Sequence, residues 1–578
     1  MPCLSLPHIN TLQKLSSSFG LGNDFIAFLK QATSSFSLEE KNVIIQMDEI
    51  HSKPDISYKG GKIYGPTMNP EDPTKTVFAI MVSSLFKKWS CVVRLIPCSS
   101  ISAEKLFPTI KSCIIDIELC GLRVHVISTD NYPMNVNIFK LFSTDGKLQT
   151  KVPHPVEDNR ILFLTFDFVH ILKTIRNNWL NQKDYNRTFR FPNINDIHLD
   201  YCNFPLQVNC ATFQDIRLLY NSERDSLAKL APRLTVKACY PSNIERQNVK
   251  LVLKIVHEST VAALTIQNQA RCPELKTHTP VFLETILNLW KIFNINTPIK
   301  DIRLNDDLNS PLIKNDDRFS FLARIVTWLD AWDSLPDRNG KLSKQTFQSF
   351  KHACIALPEI CNYLTGECGF SYLLTSFLQT DPLEHHFGLY RMMSGANYHV
   401  SYLQILETER RLKLSNILKL FTEQPETNPQ FIQTFVQSFT TISLKNTDDE
   451  LNLDPFLDKI EDLYTIECNF QTLQSLTFIA GFSVHQYLKH NDTCSVCNRL
   501  LTLEIEFHIE ELLDPQFELI NICDRGRLKY PTEPVIDAIL TVWKVFFAIE
   551  QDTQLLSIFV NGDSRKILVE LSIIYLES

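Results

Sequence analysis

KNVIIQMDEI, residues 41 to 50, is a short apolar run that ends on two adjacent acids, Asp48 and Glu49. A run of this length, rich in β-branched residues, reads as a buried central strand. A carboxylate at the end of such a strand lies at the rim of a sheet, where it can hold a metal. The logic repeats in LRVHVISTDNYPMNVNIFKLF, residues 122 to 142. There Val124 to Ser128 read as a strand, Asp130 lies just past its end, and Asn135 to Phe142 start a helix. A third carboxylate, Glu384, stands in QTDPLEHHFGLYR at a helix start, with Thr380 or Asp381 as N-cap and Pro382 at the first helical position. Two aspartates at strand ends and a distant glutamate on a helix can together hold two divalent metals, which is the logic of phosphoryl-transfer nucleases.

At 578 residues the chain is too long for one core, so two to four domains are expected. Its 44% apolar content is that of a folded globular protein. Sixteen cysteines are scattered without a framework of paired spacings, and no charged segment precedes an apolar leader. Reduced thiols follow, in a nuclear or cytosolic compartment. The nearest candidate for a membrane span, Ile539 to Ile549, is short and broken by Lys544, so no membrane association is expected. A net charge of -8 argues against a chain coated in nucleic acid. Charge is segregated, however: Arg160 to Ile255 carries 14 Lys and Arg against 8 Asp and Glu, whereas Thr447 to Leu463 is acidic.

In chain order, residues 1–40 read as a helical lead-in that ends on SLEE, a capping-box-like signal. After Asp48, the Gly60-Gly61 pair suggests a hairpin turn. VFAIMVSSLF (77 to 86) and CVVRLIPC (91 to 98) read as strands, followed by a helix from about Ser102 to Leu119 with Leu106, Ile110, Ile114 and Ile117 on its apolar face and Pro108 in its early part. ILFLTFDFVHILKTIRNNWL supplies a further strand ending near Asp167, then a helix with His170, Lys173 and Arg176. Three strands, then helix and strand in alternation, is the order of an RNase H-like α/β core with a mixed sheet. Residues 41–182 form its first part. From 183 to 380 helical periodicity dominates, as in VFLETILNLWKIF, and this stretch reads as a long all-helical insertion. Residues 381–422 return to the core with two helices split by Ser394 to Asn397. Residues 423–578, opening on the linker EQPETNPQ, are a mostly helical C-terminal region.

MDEIHSK, STDNYPMNVNIFKLF, FDFVHILKTIRNNWL, LSKQTFQSFKHAC and QTDPLEHHFGLYRMMSGANYHVS resemble, in this order, successive landmarks of P-element-type transposases, including the THAP-domain transposases of animals. The resemblance spans about residues 5 to 500. It implies an RNase H-like catalytic domain interrupted by a helical insertion of GTP-binding type, performing cut-and-paste transposition with Mg2+ or Mn2+. Matched motif to motif, Asp48, Asp130 and Glu384 correspond to the family's catalytic, metal-binding acids. GTP is implied only by the place of the insertion, since no GxxxxGK loop is present and no nucleotide contact carries over.

Asp167 and His170 are similar to a DPPH-type pattern at a helix start, with Phe168 and Val169 in place of the prolines; a helix-capping histidine is favoured there over an active-site one. Lys173 and Arg176 on the same helix are candidates to contact DNA phosphates, as is His170. Gly395-Ala396-Asn397 resembles the family's Gly-Gly-Asn turn, which would bring Asn397 near the site. In HQYLKHNDTCSVC, the residues His485, His490, Cys494 and Cys497 have spacing compatible with Zn2+, provided the helix ends between the two histidines; reduced thiols are the alternative. The first 40 residues contain one cysteine, Cys3, so no C2CH zinc module of THAP type forms there. DNA binding through this chain alone is therefore expected to be non-specific, and a homo-oligomer is compatible with the family. The favoured reading is a DNA transposase that cleaves and joins strands through an Asp-Asp-Glu site. Its rivals are a domesticated, non-catalytic DNA-binding derivative and another RNase H-like nuclease.

Overall fold

The computed structural model describes residues 25–577 except 60–61, 66, 68–71, 101, 198–206, 273–275, 338, 396, 398, 423–452, 458–462, 464–465, 491–494, 504–513, 525, 527 and 562–563. Helix α1, Phe25–Ala32, leads to the long strand β1, Asn42–Lys53. Between them Ser37 and Glu40 exchange hydrogen bonds in the reciprocal manner of a capping box, here closing a turn. The short strands β2, Ser57–Lys59, and β3, Lys62–Tyr64, pair antiparallel, and the Gly60-Gly61 turn between them lies outside the described residues. Strands β4, Thr76–Ser84, and β5, Ser90–Cys98, follow, and then α2, Ala103–Leu119. Pro108 is accommodated within α2, whose Leu106, Ile110, Ile114 and Ile117 are all buried as their spacing requires. Next come β6, Arg123–Thr129; α3, Pro133–Phe142; β7, Lys151–Pro153; β8, Ile161–Phe166; and α4, Phe168–Leu180.

The sheet has the order β5-β4-β1-β6-β8-β7, with β1, β6 and β8 parallel and β4, β5 and β7 antiparallel to their neighbours. Because β1 is central and flanked on both edges, it reads as a continuous apolar run rather than an alternating one. Alternation survives on β4 and separates two layers. Phe78, Ile80 and Val82 join the main core, whereas Val77, Ala79 and Met81 pack with Leu383, Phe387, Tyr390 and Ile405. Burial of each large apolar side chain there contributes roughly 1.5–3 kcal/mol.

After α4 the chain leaves the sheet. The insertion is mainly helical, but it begins with a two-stranded antiparallel ribbon, β9, Thr188–Pro192, and β10, Val208–Thr212, that the periodicity did not suggest. An aromatic cluster ties ribbon and helices to the core: Trp179 of α4 stacks on Phe189 with ring centroids 5.5 Å apart, and Phe282 and Trp332 pack around them. Helix α5, Lys344–Glu367, returns to the sheet beside β8. The turn before the next helix is held by Gln46 of β1, whose amide donates to the Gln379 carbonyl at 2.6 Å. Helix α6, Asp381–Met393, is followed by β11, Val400–Ser401, which adds parallel to the end of β1, and by α7, Tyr402–Thr422. The C-terminal region is helical among the described residues, with long helices at Phe470–His490 and Glu533–Gln551, and Leu519 joins the main core. The linker after Thr422 lies outside the described residues. Among the described residues no helix is long and apolar enough to cross a membrane.

Candidate active site

Parallel pairing of β1 with β6 sets Met47 opposite Thr129, and the Thr129 hydroxyl donates to the Met47 carbonyl at 3.0 Å. The next residues on the two strands are Asp48 and Asp130, so topology alone brings the two acids to one rim of the sheet. Asp130 is held in place by the Tyr132 amide and by Asn135 Nδ2, which both donate to Oδ1, at 3.0 and 2.7 Å. This leaves Oδ2 turned toward His170, with Nδ1 at 3.9 Å. Asp48 Oδ1 accepts from the Glu49 amide at 2.8 Å.

Helix α4 begins where β8 ends on the same rim. Its N-cap is Asp167, whose Oδ1 accepts from the Val169 amide at 2.8 Å, so the capping role falls to Asp167 and not to His170. One turn in, His170 is buried and donates from Nε2 to Glu384 Oε1 at 2.7 Å. Glu384 lies in the first turn of α6, behind Thr380 as N-cap and with Pro382 in that turn. One imidazole ring therefore stands between Glu384 and Asp130, with a nitrogen facing each. Lys173 Nζ is 3.3 Å from His170 Nδ1.

The electrostatics follow from crowding acids in a desolvated corner. Burial, reinforced by Asp130 and Glu384 and opposed by His170, pushes Asp48 up to about 7. Glu49 is likewise pushed up to about 7 by burial and by Asp130 and Asp48. Asp381 is raised to about 6 by burial, Asp167 and Glu384. Burial works against a charged His170, yet the Glu384 hydrogen bond and the charges of Asp167 and Asp48 raise it to about 9. The same hydrogen bond lowers Glu384. The arrangement is a nest of carboxylates with the His170 imidazolium and the Lys173 ammonium as counter-charges.

As donors, Asp48, Asp130 and Glu384 are hard carboxylate oxygens of the kind Mg2+ or Mn2+ takes, and the raised affinity of Asp48 for a proton marks a place where positive charge is wanted. The donor set fits a divalent cation. Among the described residues, however, no three His, Cys, Asp or Glu side chains are drawn together closely enough to hold a metal as they stand. His170, bonded to Glu384, sets a positive charge beside these acids.

Other residues singled out from the sequence are placed differently. Arg176 is turned inward: its guanidinium donates to Asn177 Oδ1 and to the Arg246 carbonyl, so it is not free to meet DNA phosphates. Arg160 is also buried, against Glu118 at 2.7 Å, which removes a second cation from the basic surface counted between 160 and 255. Asn397 is exposed and bonded to the Ser394 carbonyl, and Ala396 lies outside the described residues. Positions 485 and 490 lie on one uninterrupted helix, about 140° apart around its axis, so the helix does not end where a zinc site needs it to; Cys494 lies outside the described residues, and Cys497 follows on a separate short helix. His170 as a partner of Glu384 was missed, because a lone histidine on a helix carries no sign of an acid that is 214 residues away. The only local signal was its place one turn after a strand-end aspartate.

Asp48 is not at a strand end as its apolar run suggests, because β1 continues five residues past it to pair with β4 and β11, whereas Asp130 lies just past the end of β6. The core order β5-β4-β1-β6-β8 with these two acids side by side defines an RNase H-like core. Residues 17–143 match the family model described as the TNP-like, RNase H N-terminal domain. Among solved structures the chain is similar to one described as the Drosophila P element transposase strand transfer complex, with a TM-score of 0.57 and 19% identity, over 71% of this chain and 85% of that chain. No curated protein matches the sequence. The resemblance to P-element-type transposases read from the sequence thus holds in the fold and in the domain type of residues 17–143.

Proposed function

We propose that this chain is a DNA transposase, a metal-dependent polynucleotidyl transferase that cleaves and joins strands with Asp48, Asp130 and Glu384 as its acids. The observation that carries the reading is the return of Glu384 to the Asp48–Asp130 rim, on a helix that follows the whole insertion, with only the His170 ring between it and Asp130.

A divalent cation held by these three acids would supply Lewis-acid activation of the attacking and leaving oxygens. The chain's own residues prepare the place for it. Asn135 and the Tyr132 amide fix one oxygen of Asp130 and keep the other toward the site. His170 neutralises part of the acid cluster before any substrate arrives. Lys173, half-buried at the mouth beside His170, offers a cation to a phosphate entering the acid nest. DNA is the polyanion that needs such help, and with Arg160 and Arg176 turned inward the remaining surface charge supports non-specific, salt-sensitive binding.

The test is nicking of supercoiled plasmid by the purified full chain with Mg2+ or Mn2+. The wild type is expected to nick, and Asp48→Asn to lose nicking while its thermal unfolding stays cooperative. Nicking undiminished in Asp48→Asn would overturn the assignment.

A further inference from the structure

One buried carboxylate, Asp167, touches the elements that deliver Asp130, His170 and Glu384. Asp167 is 1% exposed. Its backbone amide donates to the carbonyl of Thr129, the residue before Asp130, at 2.9 Å. Its Oδ1 accepts from the Val169 amide at the start of α4, one residue before His170. Its Oδ2 accepts twice from Thr380, from the amide at 3.1 Å and from the hydroxyl at 2.6 Å, four residues before Glu384. Thr380 is wholly buried, so both of its donors depend on this oxygen. A helix N-terminus has unsatisfied amides, and Asp167 satisfies those of two helices at once.

We infer that Asp167 is the positioning residue of the site: its two oxygens lock the first turns of α4 and α6 to each other and so set the 2.7 Å approach of His170 to Glu384. The inference rests on the proposed function for its catalytic consequence, but not for its geometry. A single cap on α4 would need only Oδ1. The Thr380 bonds serve no cap of α4, and Thr380 makes no side-chain cap to its own helix. Asparagine at this position keeps the volume and one acceptor oxygen; its amide nitrogen only donates, so it faces the Thr380 amide and hydroxyl without accepting from them.

The experiment uses the full chain with 15N-labelled histidine, without metal or DNA, and reads the downfield proton of the His170 Nε2–H bonded to Glu384. Glu384→Ala identifies that resonance by removing its acceptor. Asp167→Asn is expected to lose it while unfolding remains cooperative, and nicking is expected to fall on the order of a hundredfold, the scale of a misplacement near 1 Å. Thr380→Val, which removes one donor and preserves shape, is expected to weaken the resonance in the same direction, and in the double variant to add nothing to Asp167→Asn. If Asp167→Asn does not fold, Thr380→Val alone decides on the same resonance. A carboxylate that serves stability alone would lower the melting temperature and leave the His170 resonance intact in the folded protein, and this result overturns the inference. Loss of the resonance in a chain whose wild type never nicks upholds the positioning role and sinks the proposed function instead.

Discussion

Two buried histidines sit near opposite ends of the same sheet, and their proton affinities are shifted in opposite directions. His170, at the rim where the pairing of β1 with β6 ends, is raised to about 9. His125, at the start of β6, is lowered to about 3 by burial and by the nearby Arg160 and Arg123. His125 donates from Nε2 to Asn42 Oδ1 at 2.7 Å, a neutral partner, whereas His170 donates to a carboxylate. Burial pushes both the same way, so the sign of the outcome is set by the partner. The end lined with arginines holds the fold together, and the end lined with acids keeps a charge in store.

The sharpest way to break this contrast is to remove the partner. In Glu384→Gln, nicking should fall on the order of a thousandfold, the equivalent of several kcal/mol of lost charge stabilisation. His170, followed by NMR titration, should drop from about 9 toward the lowered range that His125 shows. A His170 that stays charged to high pH without Glu384 would mean that Asp130, Asp167 and Asp48 suffice, and the comparison would need redrawing. A second effect appears in stability. Asp48 holds its proton more tightly when folded, so its ionisation costs stability as pH rises from the ordinary 3.8 to about 7. His170 gains stability from its charge, fully present below 6.5 and lost as pH rises to about 9. Both run the same way, so the melting temperature of the metal-free protein should fall steadily across this span, and Mg2+ should restore part of it at the alkaline end. A melting temperature that rises through this window would contradict both assignments. The smallest effect is expected at the quiet end: His125→Phe should cost about 1–3 kcal/mol, because Asn42 Oδ1 loses its donor, and nicking per folded molecule should not change. Chemical denaturation and the plasmid assay together check it.

Much of this architecture is legible in the residues. The apolar run before Asp48 and the one before Asp130 are long enough to read as strands, and the order of strands and helices is enough for the core. Glu384 is different in kind. Local pattern assigns it only a helix start, and what linked it to the aspartates was the succession of landmarks, not any physical signal in the chain. Strands β7 and β11 are three and two residues long, too short to show a period. The inward turn of Arg160 and Arg176 was hidden for a related reason: a count of charges carries no direction, and both side chains find their partners on elements distant in sequence. The histidine pair at 485 and 490 had metal-like spacing, but spacing does not say whether a helix continues, and this one does.

The pairing of β11 with β1, where the Ser52 hydroxyl donates to the Val400 carbonyl at 3.0 Å, joins residues 348 positions apart. On a ribosome adding about 5–20 residues per second, β1 waits roughly 20–70 s for this neighbour to emerge. During that interval the acids of β1 and β6 exist without the helix that bears Glu384. A chain released early, by a premature stop or a protease, therefore carries an RNase H-like sheet with an unfinished rim, and whatever chemistry the site performs is confined to molecules synthesised past residue 400.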